Sequence, residues 1–357
     1  MREMPMNRTS AGAPHTTAFN RRTMLMAASA LGAAAATPPG SASAASDAPK
    51  APTAGSASVR GVRFQNNAIS LAGNLYLPAG FSEAGKYAAI ITVHPGGGVK
   101  EQTAGLYARK LAEQGFVTLA FDAGHQGASG GEPRFLDDPM KRVTDIYSAV
   151  DYLVSLPYVD ANRIGALGVC AGSGTAIKAA STERRIKVVG TVSGVDVGAA
   201  TRKGWDGNAT ISEQLATLEA VAKQRSAEVA GAAPVYLPYV PPVGDKTAPR
   251  DLQEAADYYL TPRGQHPNAP NKLLLTSLSA MVSFTGFDQV DTLLTQPLIV
   301  VAGSEAGSLW HSRELHAKAA GPKRIAIVEG ATHMDLYDGA GSDRAMSHLS
   351  PFFKQTL

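Results

Sequence analysis

The apolar positions of this chain fall into short blocks of two kinds. Residues 88–93, 116–121, 163–169, 186–192 and 297–302 are nearly continuous apolar runs of strand length, the pattern of strands buried on both faces of a parallel sheet. Between them, 102–114 and 139–156 carry apolar residues at helical spacing; in the second, Val143, Ile146, Val150 and Leu153 share one face. Near the front, 62–66 and 69–77 alternate apolar and polar positions around Asn66-Asn67, which predicts two strands joined by a turn. A helix over about 311–320, a strand over 324–328 and a helix over about 343–353 complete the pattern. Strand and helix in alternation predict a mostly parallel sheet covered on both faces, with any ligand at the carboxyl ends of its strands.

The rhythm breaks between 199 and 293. No buried strand is expected there; Thr210-Ile211-Ser212-Glu213 reads as a capping box for a helix to about residue 230, 234–249 is proline-rich, and 251–260 is helical again. The segment lacks long apolar faces of its own, so it is expected to be a largely helical lid inserted into the core. The core then comprises 59–198 and 294–357.

The chemistry concentrates where the run 163–169 ends in Gly168-Val169-Cys170-Ala171-Gly172, followed by small residues suited to a helix. Strand, sharp turn and helix, with glycines flanking one side chain, form a nucleophile elbow that displays Cys170 above the sheet. Cys170 is the only cysteine of the chain. A free thiol is only a few per cent ionised at neutral pH, so it needs a base within reach. After the run 324–328 the chain delivers Gly330-Ala331-Thr332-His333, and after 297–302 it delivers Gly303-Ser304-Glu305. Nucleophile, acid and histidine in that order make His333 the expected base. A carboxylate behind it fixes the tautomer and stabilises the imidazolium. Two acids are open: Glu305, favoured for its tight strand exit, and Asp196, which follows 186–192. Donors to the developing oxyanion are expected from the backbone N–H of Ala171, and from Gly96 or Gly97 in His94-Pro95-Gly96-Gly97-Gly98. That turn is not followed by the Lys-Ser or Lys-Thr step of a phosphate loop. His94 and His125, on loops at the same end, are candidates for substrate contact or backbone positioning. His311, His316 and His348 fall on expected helices. No H-E-x-x-H and no metal spacing occurs, so neither a metal nor a cofactor is expected.

The elbow, the 94–98 turn, the glycine-rich loop 122–131 and the Gly-Ala-Thr-His stretch together resemble the α/β-hydrolase superfamily. A cysteine at the elbow resembles its dienelactone hydrolases and polyketide-transferase-like members, although a lid of this length departs from the dienelactone hydrolases. The resemblance implies an α/β-hydrolase fold and a hydrolase of carboxylic esters, lactones or thioesters working through an acyl-thioenzyme. Acyl transfer to another acceptor, or a binding protein with a structural cysteine, are the alternatives.

Charge adds one correction. The chain of 357 residues carries a net charge of +3. Arg2, Arg8, Arg21 and Arg22 against Glu3 account for all of it, so nothing in residues 45–357 points to nucleic acid or an anionic membrane surface. Residues 1–44 read as a leader: Arg21-Arg22, a modest alanine-rich apolar run, then Ser41-Ala42-Ser43-Ala44. Paired arginines before such a run resemble a twin-arginine export signal. The run is too short to anchor the protein stably in a membrane. Residues 45–58 would follow as a flexible linker, and the mature protein would be periplasmic or secreted through the twin-arginine machinery. Changing Arg21 and Arg22 together to Lys should leave the protein unexported and longer by the leader, as read by fractionation and mass spectrometry; normal export would remove the twin-arginine assignment.

Overall fold

The computed structural model describes residues 57–357. The expected leader, and the linker as far as residue 56, lie outside the described residues. The linker's last two residues are folded: Ala57 is buried and Ser58 opens the first strand. Strands β1 (Ser58–Asn66) and β2 (Ile69–Leu77) form the antiparallel hairpin that the Asn66-Asn67 turn predicts. Then follow β3 (Tyr87–Val93), α1 (Thr103–Ala112), β4 (Val117–Phe121), α2 (Pro139–Ser155), β5 (Val159–Val169), α3 (Ala171–Thr182) and β6 (Ile186–Val192). Each buried run is a strand, and each amphipathic stretch is a helix that covers the sheet.

The chain then leaves the sheet for about a hundred residues. This segment holds α4 (Val197–Lys203), α5 (Ile211–Val229), the two-residue strands β7 (Tyr236–Leu237) and β8 (Leu273–Leu274), α6 (Arg250–Leu260) and α7 (Leu278–Ser283). The capping box forms as expected, with Thr210 and Glu213 bonded reciprocally at the start of α5. The small ribbon β7–β8 was not legible in the sequence, because two residues per strand are too few to show a period. The sheet resumes with β9 (Leu298–Gly303), α8 (Leu309–Lys318), β10 (Lys323–Val328) and α9 (Gly339–Thr356).

Among the described residues the main sheet has eight strands in the order β1-β2-β4-β3-β5-β6-β9-β10. β3, β4, β5, β6, β9 and β10 run parallel, and β2 pairs antiparallel with both β1 and β4. This is the α/β-hydrolase arrangement. The central strands β3, β4 and β5 are apolar on both faces, with Ile90, Ile91, Leu119, Ile164 and Leu167 fully or almost fully buried. The order reverses at β3, where the first crossover goes out to β4 and the next returns to β5 on the other side. The carboxyl ends of β3 and β5 therefore open a crevice at the switch point.

The elbow glycines work by close approach. A Cβ on Gly172 would lie 2.3 Å from the Val93 carbonyl oxygen and 2.7 Å from that of His94; one on Gly168 would lie 2.4 Å from Ser173 Cα. The loop after β3 and the start of α3 thus touch backbone to backbone. Gly172→Ala should lower stability by about 1–3 kcal/mol, measurable as a lower urea midpoint with unchanged slope, because rigid backbone stands in the way of the methyl group.

Candidate active site

Cys170 takes φ 52 and ψ −123, a left-handed conformation that a residue with a side chain adopts only under constraint. The constraint is visible. Cys170 N–H donates to Val192 O at 3.0 Å, and its own carbonyl accepts from Ser173 N at 2.9 Å and Val195 N at 3.1 Å. The side chain is thereby turned to the carboxyl end of the sheet, where His333 arrives from the loop after β10. His333, the Tyr337 hydroxyl and the Ala171 N–H at the start of α3 all stand beside the thiol and favour its charged form. His333 Nε2 also lies 3.3 Å from Tyr337 Oη. Cysteine, imidazole and phenol therefore form a closed, buried cluster.

The charges follow from that cluster. Burial pushes the Cys170 thiol up, but the positive imidazole and the three hydrogen bonds outweigh it, and the net displacement is downward. Burial works against a charged His333, yet the thiolate charge and its hydrogen bond, followed by the negative charges of Asp251 and Glu254, raise it overall. The two shifts are opposite in sign, and each favours the charged form of its group.

Neither expected acid stands behind the imidazole. His333 Nδ1 is 2.6 Å from the Ser308 hydroxyl. The Glu305 side chain is half exposed and pairs with Arg250 at 2.9 Å. The tight strand exit that favoured Glu305 turns its backbone N–H to Ala331 O and sends the carboxylate outward. Asp196 caps α4, accepting from Gly198 N at 3.0 Å and Ala199 N at 3.2 Å, and also from Gly286 N at 3.0 Å. Both carboxylates are thus committed elsewhere.

The loop after β3 is built as a rigid shelf. His94 accepts from Ala123 N through Nε2 at 3.1 Å and donates through Nδ1 to Pro95 O at 2.7 Å. The buried Arg142 donates to His94 O. Asp122 accepts from Lys100 N, Lys100 Nζ and Ala128 N, which ties the loops after β3 and β4 together. His94 thus positions backbone and does not face substrate. His125 is likewise held within its own loop, 3.1 Å from Pro133 O. Gly96 lines the cavity beside Cys170. The ring of Tyr239 lies where a Gly97 side chain would be.

Tyr239 belongs to the inserted segment, and so does the roof of the site. Asn271 accepts from the N–H groups of Tyr239 and Val240 and donates to Val240 O, so one side chain fixes that strand end. The Tyr239 hydroxyl donates to Asp137 at 2.6 Å. Leu252, Ala255 and Tyr259 come down from α6, and Trp205 from the loop after α4, to enclose Cys170 and His333. The remaining cavity is about 30 Å³, room for roughly two waters. Its walls are mainly aromatic and aliphatic; Asp251 carries the only carboxylate, and no lysine or arginine lines it.

The sequence reading missed Ser308, Tyr337, Trp205, Tyr239, Tyr259 and Asp251. Only Tyr337 carried a signal, standing one helical turn after His333 in a short 3₁₀ turn, Met334–Tyr337. Among the described residues there is no cluster of three metal-ligating side chains, and no helix is long and apolar enough to cross a membrane.

The dienelactone hydrolase family profile matches residues 71–229. A protein of Escherichia coli strain K12, YcjY, is 47% identical over 294 residues, covering 82% of this chain and 96% of its own. The crystal structure of protein PA2218 from Pseudomonas aeruginosa superimposes with a TM-score of 0.80 at 34% identity, covering 86% of this chain and 96% of that one. The polyketide transferase claH of Penicillium crustosum is 25% identical over 304 residues, 83% of this chain and 97% of its own.

His94 and His311 are both held down to about 3, chiefly by burial, with Arg142 beside the first and His333 beside the second. The unfolded chain takes up these protons near pH 6.5, whereas the folded chain refuses them until about pH 3. Stability should therefore be full above pH 6.5 and fall as the pH drops toward 3. His311 offers a clean test, since neither of its ring nitrogens has a hydrogen-bond partner. In urea melts from pH 7 to 4, His311→Phe should flatten the decline; an unchanged slope would contradict the assignment.

Proposed function

We propose, for a chain that belongs to the dienelactone hydrolase family of α/β hydrolases, that it cleaves ester, lactone or thioester bonds through an acyl-thioenzyme on Cys170. The observation that carries this reading is Cys170 held at positive φ at the start of α3, sharing one cavity with His333 and Tyr337, which favour its thiolate. The thiolate attacks the acyl carbonyl, and the carbonyl electrons move to oxygen. The Ala171 N–H and the Gly96 backbone at the cavity wall stand where that oxyanion would form. As the tetrahedral adduct collapses, the bond to the leaving oxygen or sulfur breaks, and His333 gives that atom its proton. Water then loses a proton to His333 and attacks the thioester, which releases the acid and restores the thiol.

The cavity supports an uncharged, apolar acyl group. Its rings and aliphatic walls offer contact area, no cation lines it, and the Asp251 carboxylate repels an anion. Its small volume also supports a second reading, acyl transfer, because the closed roof leaves little water to compete with another acceptor. The polyketide transferase among its relatives is consistent with that chemistry. We further infer, from the paired arginines of the leader alone, that the enzyme acts outside the cytoplasm.

Cys170→Ala should abolish turnover of short p-nitrophenyl esters, and iodoacetamide should label Cys170 at pH 7 faster than it labels a free thiol. Tyr337→Phe, which removes one donor to the thiolate, should slow both reactions by roughly tenfold. Full activity in Cys170→Ala would end the thiol mechanism. Adding an alcohol to the assay separates the two readings, since acyl transfer gives the new ester as product and hydrolysis gives the acid.

A further inference from the structure

We propose that Asp251, carried on α6 of the inserted segment, is the positioning residue of the base, holding His333 in place through Trp205 and through the Gly307-Ser308 turn. The inference rests on the thiol reading of Cys170 and adds the carboxylate which that reading lacks.

Two groups other than the cysteine and Tyr337 are seen to touch the imidazole. One is the Ser308 hydroxyl on Nδ1, at 2.6 Å. The other is the Trp205 ring, set edge-on with centroids 5.0 Å apart and planes at 68°. Both are fastened to the same oxygen. Asp251 Oδ2 accepts from Trp205 Nε1 at 2.8 Å and from Gly307 N, the residue before Ser308, at 2.8 Å. Asp251 is itself buried and lines the cavity. One carboxylate of the roof thus holds the two supports of a base that belongs to the sheet. The alternatives are spent elsewhere: Glu305 on Arg250, and Asp196 on the start of α4.

The charged and titratable groups facing His333 are Cys170 and Tyr337 beside Nε2, His311 from α8, and Asp251 and Glu254 from α6. Glu254 touches neither Trp205 nor Gly307; its other partner is Arg250. Asp206 lies close to Asp251. Negative charge at Asp251 favours the imidazolium, and with it the thiolate, at neutral pH. Once the imidazole has lost its proton at high pH, Cys170 ionises without that help.

The test is the rate of iodoacetamide alkylation of Cys170, measured at pH 7 and pH 9.5, in the full protein. A change in access alone moves both rates together, whereas a change in the base moves their ratio. Asp251→Asn can keep an oxygen toward Trp205 and Gly307 but loses the charge; the pH 7 to pH 9.5 ratio should fall by about 3- to 10-fold. Asp251→Ala loses the charge and both bonds, so the ratio should fall further. Ser308→Ala, which removes the hydroxyl on Nδ1 directly, should also lower it. Glu305→Gln should leave it unchanged. Circular dichroism of each variant checks the fold, and the near-isosteric Asp251→Asn keeps the test valid if Asp251→Ala fails to fold. Wild-type ratios in a folded Asp251→Asn overturn the role of Asp251 while leaving the thiol mechanism standing. A Cys170 that is no more reactive at pH 7 than a free thiol in the unmodified protein ends the thiol reading, and the proposal with it.

Discussion

The structure depends on the left-handed backbone at Cys170. A non-glycine residue held there costs on the order of 1–3 kcal/mol, so it persists only because its surroundings allow nothing else. Two backbone hydrogen bonds clamp it to β6 and the loop that follows, and a third joins its carbonyl to Ser173 in α3. Gly168 and Gly172 let α3 press against the β3 loop at distances where no side chain fits. The same contact that strains the cysteine thereby seats the loop after β3 beside it. Cysteine and loop are set by one packing event, and the remaining residues of the site are built toward it.

What arrives is a compact set of charges away from water. Cys170 and His333 each favour the charged form of the other, and the Tyr337 hydroxyl stands beside the imidazole. Around them the loops are held by further polar pairs: Lys100 on Asp122, Arg142 on the His94 carbonyl, and Tyr239 on Asp137. Buried polar groups are tolerable when each has a partner. Here nearly every partner joins two different loops, so satisfying the polar groups also fixes the floor of the cavity. The neutral His94 illustrates this. Its two ring nitrogens are both engaged by backbone, which makes it a strut between the ends of β3 and β4.

The inserted segment then does two things at once. Tyr239, Leu252 and Tyr259 close the cavity over the thiol, while Trp205 and Asp251 reach past it to the far side of the imidazole. Closure of the cavity and support of the imidazole therefore share one stretch of chain between β6 and β9, and neither resides wholly in the sheet. The cavity left is about 30 Å³.

The sequence by itself determined the sheet, the elbow and the strand end from which His333 arrives. Apolar runs of strand length, helical periods between them and glycines on both sides of Cys170 are local signals, and local signals survive in one dimension. His333 was legible because chain order delivers it from a strand end to the same rim. The helix of the inserted segment at 211–229 was legible from its capping box, which lies within four residues. The acid was not legible. Glu305 stands at a sequence position suited to that role, yet the direction of its side chain was decided by the turn Gly303-Ser304 and by Arg250, fifty-five residues away. Trp205 and Ser308 meet at one ring, and Asp251 bonds Trp205 and the residue before Ser308, from three separate stretches that no spacing rule connects. Pattern can name the residues that a strand or a turn presents; which distant side chains come to rest beside the imidazole is decided by packing, because only folding gives those stretches a common position.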